Sequence, residues 1–286
     1  MKKLNRTLHI VAFVGALTAT SQAWDIVTQP VETRWYKHRA RDLEWNCKSN
    51  WQNNSGVGFR PTSIDILYDQ DTYSYYGYTY VVSPCVRNTG AHYKDWQFMY
   101  DESAADISDW AYSNGYTITD LEEYKEDGDI KYAALMEKHI PWKPYFIYAQ
   151  ATTNSLIDYL FGDGYGGKIV DMDVEEMGNS SLHGAINWNV PQTGVNWDTT
   201  MTWAQVQAIK NAGQKRLLDL QRYDGVTYCA LWCDLKPGES NKWSYFGNVT
   251  SAWISGQEAY GWRVQTTNSQ MVSGQRKYSG VLVWND

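Results

Sequence analysis

Three aspartates, Asp120, Asp171 and Asp219, recur along this chain, each a few residues after a glycine–aromatic or glycine-containing break. The middle one begins an acidic run, Asp171-Met172-Asp173 followed by Glu175-Glu176. On a strand, alternation places Asp171, Asp173 and Glu175 on one face. Carboxylates so placed could hold a cation or form the acid and base pair of glycoside hydrolysis. His183 lies on the strand that follows and could move a proton. Asp171, Asp173 and His183 are therefore the catalytic candidates. Glu175 and two tyrosines near the ends of equivalent strands, Tyr124 and Tyr223, are the ligand-binding candidates, because a phenol ring can stack on a sugar.

Repetition argues for another role. A catalytic constellation need occur only once, whereas a structural carboxylate that bonds turn amides recurs wherever the turn does. Other chemistries lack their residues. There is no Gly-x-Ser-x-Gly elbow and no His-Glu-x-x-His pair, so neither an activated serine nor a catalytic zinc is expected. No loop alternates Asp, Asn and Gly as a calcium loop does. No cofactor and no metal are expected.

The elements that must carry these residues repeat. Trp96, Trp142, Trp197 and Trp243 stand 46, 55 and 46 residues apart. After each comes a Ser or Thr suited to cap a helix, then a short amphipathic helix ending at Gly115, Gly164, Gly213 or Gly261. A strand, a glycine turn at Gly128, Gly178, Gly225 or Gly274, and an apolar return strand follow. A degenerate copy anchored at Trp35 precedes them. The expected units are 35–95, 96–141, 142–196, 197–242 and 243–286, the first irregular as a terminal cap should be. The Pro191–Gly194 stretch reads as a loop insertion. The fold class is α+β: about five helix-plus-hairpin units forming one curved, half-barrel-like antiparallel sheet, with helices on one face. The four tryptophans and the helix-ending glycines are expected to be architecture, with the indoles wedged between helix and sheet.

Compartment and charge narrow the function. Lys2, Lys3 and Arg6, an apolar run and Ser21-Gln22-Ala23 read as a signal peptide over 1–23, leaving 24–286 as one array domain. The chain has a formal charge of −7, and it becomes −10 once those three cations are removed. An acidic chain is a poor partner for nucleic acid or anionic membrane, and no later run is long and apolar enough to span a bilayer. Four cysteines allow three pairings. Cys229 and Cys233, four apart on one strand, would sit about 13 Å apart at ~3.3 Å per residue, too far to pair. Cys47 with Cys85 is the local option, and Cys85 with Cys233 stays open.

The run Gly115-Tyr116, a strand with Asp120, a glycine turn and then Tyr132-Ala133-Ala134-Leu135-Met136 resembles the bacterial tandem repeat domain. That domain forms the N-terminal region of secreted polyglycine hydrolases. The resemblance covers most of the mature chain and is strongest from Trp96 to Asp286. It implies the fold and a secreted context. In those hydrolases the chemistry belongs to a separate serine hydrolase domain, whose Ser-x-x-Lys and Lys-Thr-Gly signatures are missing here. The expectation is a secreted, non-catalytic protein that binds an extracellular polymer, glycan or peptide, or a secreted partner protein. A polymer-degrading hydrolase or lyase, and a structural or adhesin-like subunit, are the alternatives.

Overall fold

The computed structural model describes residues 31–48, 58–69, 78–126, 128–138, 145–151, 154, 168–174, 182–187, 194–223, 225–239 and 242–285. Residues 1–23, expected to be a signal peptide, Trp142, Gly164, Gly178, Glu175 and Pro191 lie outside them. The described chain is α+β, mostly antiparallel strands in small sheets with four α-helices.

The first sheet holds β1 (Thr33–Arg39), β2 (Phe59–Pro61), β3 (Asp65–Asp69) and β4 (Tyr78–Arg87), with helix α1 (Leu43–Lys48) between β1 and β2. Both β2 and β3 pair with β4, which also pairs with β1. The second holds β5 (Trp96–Glu102), helix α2 (Ala104–Asn114), β6 (Tyr116–Glu126) and β7 (Asp129–Lys138). The third holds β8 (Tyr145–Ala151), β9 (Lys168–Val174) and β10 (Leu182–Asn187). The fourth holds β11 (Asn196–Met201), α3 (Trp203–Asn211), β12 (Lys215–Arg222) and β13 (Tyr228–Asp234). The fifth holds β14 (Trp243–Val249), α4 (Ser251–Ala259), β15 (Trp262–Val272) and β16 (Gln275–Trp284). In each of the last four the strand latest in sequence is central, with its two predecessors on either side.

Local chemistry explains the helices. Ser103, Thr202 and Thr250 each accept a bond from the backbone N–H three residues on, which satisfies one of the orphan donors of a first turn. Thr202 and Gln205 complete a reciprocal capping box. Gly115 closes α2 at φ 73°, a left-handed conformation that costs glycine nothing sterically.

Five separate sheets replace the single curved sheet that hydrophobic alternation suggested. They are joined side by side through one strand of each. β3 packs on β6, β6 on β9, β9 on β12, β12 on β15, and β15 returns to β3 and β4. The order of contact therefore closes on itself. The apolar clusters follow the same circuit. One joins Tyr36, Leu43 and Ile64 to Trp96 and Leu135; another joins Ile107 and Leu121 to Val170, Met172 and Leu231. A third joins Val206 and Leu217 to Trp243 and Val283, and a fourth joins Ile254 and Val264 to Val82 of the first sheet. Each described helix fills the junction between its own sheet and the next. The first sheet is thus no free-standing terminal cap, because the last sheet covers it.

Closure has its own bonds. Asn285 accepts from Val31 N at 3.1 Å and donates to Val31 O at 2.9 Å. Trp35 of β1 meets Tyr278 of β16 edge to face, with ring centroids 5.6 Å apart.

Candidate functional site

The inner strands β3, β6, β9, β12 and β15 carry the recurring polar residues. Each of the last four is bulged near its start, at Thr119, Val170, Leu218 and Gln265. Asp120, Asp171 and Asp219 follow the first three bulges and are buried. A bulge re-aims the next side chain, and here it turns the carboxylate toward a neighbouring sheet, the preceding one for Asp120 and Asp171 and the following one for Asp219. Asp120 Oδ2 accepts from Ile64 N at 3.0 Å, and Asp171 Oδ2 accepts from Leu121 N at 2.8 Å. At the next junction Gln221 Oε1 accepts from Val174 N at 2.7 Å. Asp219 Oδ1 takes a bond from Asn268 Nδ2 at 3.2 Å. The circuit closes where Ser63 Oγ accepts from Thr267 N at 3.0 Å. Strand edges that would bury unpaired amides are thus satisfied by side chains of the neighbour.

These bonds assign Asp171 an architectural task. Its carboxyl group is buried and held by a backbone donor. The register sets Asp173 opposite His183 on β9 and β10. Glu175 lies outside the described residues. The two tyrosines are ties of one kind: Tyr124 OH accepts from Asp101 N at 2.9 Å, and Tyr223 OH donates to Thr199 O. Each phenol links the end of an inner strand to the outer strand on the far side of the same sheet. Tyr124 is buried and therefore offers no open stacking platform.

The tryptophan anchors sit between sheets. Trp96 and Trp243 are buried, and Trp197 packs at the edge of the second and third sheets' core. Lys48 Nζ of α1 lies 4.6 Å from the Trp96 ring, and Lys210 Nζ of α3 lies 4.0 Å from that of Trp243. In both cases a lysine near a helix C-terminus covers the indole that opens the following sheet. Burial lowers the Lys210 ammonium below its ordinary range; its bond to Trp243 O and the ring's electron-rich face compensate.

A set of cations went unread in the sequence: Arg60 on β2, and Lys168, Arg216 and Arg263 at or near the start of β9, β12 and β15. Arg60 pairs with buried Glu137 at 2.7 Å, and Arg216 with Glu239 at 3.4 Å. Arg263 donates to Trp284 O at 3.2 Å. Its guanidinium is pushed down to about 10, first by burial and then by Arg60. The signal was available as Lys168-Ile169-Val170-Asp171, Arg216-Leu217-Leu218-Asp219 and Arg263-Val264-Gln265-Thr266. The first and third residues mark the strand entry and the bulge, and in the first two runs the fourth is the bonded aspartate.

The hairpin ends of the second, fourth and fifth sheets display Ile130, Val226 and Met271, which are 40%, 74% and 59% exposed. Comparison with protein-family models and with curated protein sequences returns no match. Among the described residues no three His, Cys, Asp or Glu side chains are grouped to hold a metal ion, and no helix is long and apolar enough to cross a membrane.

Proposed function

We propose that this chain is a secreted, non-catalytic array of five units, similar to the bacterial tandem repeat domain. It binds an extracellular polymer or a secreted partner protein through the hairpin ends of these sheets. The observation that carries this reading is how the two kinds of side chain divide. The recurring carboxylates are spent on sheet-to-sheet bonding, while Ile130, Val226 and Met271, three of the eight exposed large apolar side chains among the described residues, stand at hairpin turns. Paired strands that carry apolar side chains beside their turns suit the contact of an extended partner, because ordered strands lose little entropy on binding.

The test is binding of the full chain to soluble glycans, cell-wall fragments and peptides, polyglycine among them, with product release followed in parallel. Saturable binding without product is expected. It should be weakened at least tenfold when Ile130, Val226 and Met271 are all changed to Ser. Binding unchanged in that variant removes the hairpin ends from the interface.

The second reading, a polymer hydrolase or lyase, is favoured by one observation: the register pairs Asp173 with His183. Product release that is lost in Asp173→Asn and in His183→Ala would replace binding with catalysis. Release that survives both removes these residues from it.

A further inference from the structure

We propose that Cys47 and Cys85 are a disulfide-forming pair that staples helix α1 to strand β4. The proposal is independent of what the hairpin ends bind. Their Sγ atoms lie 3.8 Å apart, and both side chains are buried in the core of the first sheet. Cys229 and Cys233 are buried as well, but both lie on β13, four positions apart, a spacing that no disulfide bridges. Cys229 Sγ instead faces Met172 O at 4.0 Å. Of the four thiols, one pair is adjacent.

The place suits a cross-link. Helix α1 has six residues, the fewest of the four helices. A helix that short is marginal without tertiary support. Its partner β4 is the central strand of the sheet on which the ring closes. Cys47 and Cys85 are 38 residues apart. A link across that span removes conformational freedom from the unfolded chain, on the chain-entropy account.

The reaction is thiol–disulfide exchange with a disulfide oxidant, either a small-molecule disulfide or a dithiol oxidoreductase in its oxidised form. One thiolate attacks the oxidant's S–S bond, giving a mixed disulfide and releasing one thiol. The second thiolate then displaces the oxidant's remaining sulfur. Two protons and two electrons leave the protein, and the oxidant is reduced to two thiols. Burial pushes the Cys47 thiol up, so exchange belongs to the folding chain, before the first sheet closes.

The experiment refolds the full chain in oxidised and reduced glutathione, then denatures it, alkylates it and maps the peptides by mass. Two alkylated cysteines, Cys229 and Cys233, and one linked Cys47–Cys85 peptide two hydrogens lighter than its parts are expected. Four alkylated cysteines, or any other linked pair, overturn the proposal. A phosphine reductant should lower the Tm of the oxidised protein by roughly 5–15 °C. That response should vanish in the C47S/C85S double variant and persist in C229S/C233S. A Tm indifferent to reductant overturns the staple.

Discussion

A carboxylate that accepts a backbone N–H across a junction leaves that buried amide unmet when the side chain is removed. Asp171 is in this position, with Leu121 N as its donor. Replacing it with alanine leaves a buried amide unmet, which costs about 1–3 kcal/mol. Asp171→Ala should therefore lower stability in denaturant titration by that amount. Asp171→Asn, which keeps an acceptor oxygen, should cost less. A variant that loses function while its stability is unchanged would point back to chemistry at this residue. The same scale holds the tryptophan anchors. Lys210 contributes a charge above Trp243 and a bond to its carbonyl, and Lys210→Met keeps the stem but removes both. The expected loss is roughly 1–2 kcal/mol, read from chemical denaturation.

At the scale of elements, the helices begin where a hydroxyl meets a free N–H, and the inner strands turn where a bulge inserts one residue. Thr202→Ala removes the capping box of α3 and should cost about 1 kcal/mol, measured by thermal unfolding. The bulges demand room on the partner strand. A Cβ at Gly280 would stand 2.1 Å from Thr266 O, at the bulge of β15. Either the strand must shift or the pairing must break. Gly280→Ala should lower Tm far more than Gly256→Ala on α4, where an added Cβ meets nothing within 4 Å.

The whole molecule depends on closing the ring. The last junction joins chain ends, and the bonds of Asn285 to Val31 span 254 positions. One titratable group reports on it. Glu258, near the end of α4, has its carboxyl raised above the ordinary range by burial, against the opposing effect of a bond with Thr33 of β1. A raised carboxylate pKa means that the folded state binds the proton more tightly than the unfolded one. Its contribution to stability is then present below the unfolded value, about 4.3, and is lost as pH rises through the folded value. Glu258→Gln should consequently raise Tm at pH 7 and leave it near the parent's at pH 4. A Tm difference that does not grow with pH would show that the carboxyl is not strained at this junction.

Much of this was legible in local sequence because its causes are local. Ser103, Thr202 and Thr250 cap helices through amides three residues away. Gly115 caps by its own backbone freedom, and the Tyr132–Met136 run is apolar because it forms a sheet's central strand. The burial of Trp96 and Trp243 also followed from their size. What covers them did not: Lys48 and Lys210 belong to the preceding sheets, and no spacing rule predicts which helix end meets which ring. The recurring Asp was visible as a repeat and its partner was not, because the donor, a backbone amide for Asp120 and Asp171 and the Asn268 side chain for Asp219, lies on another sheet.

The residue sequence by itself determined the described helix caps, hairpins and apolar strands, since caps, turns and alternation act within a few residues. Only the tertiary structure decided that five separate sheets stand in place of one curved sheet, and that the last returns to the first. Closure depends on the angle between neighbouring sheets, which is set by the summed packing of side chains at every junction. No single stretch of chain carries that angle, and the roles of Asp120, Asp171 and Asp219 follow from it.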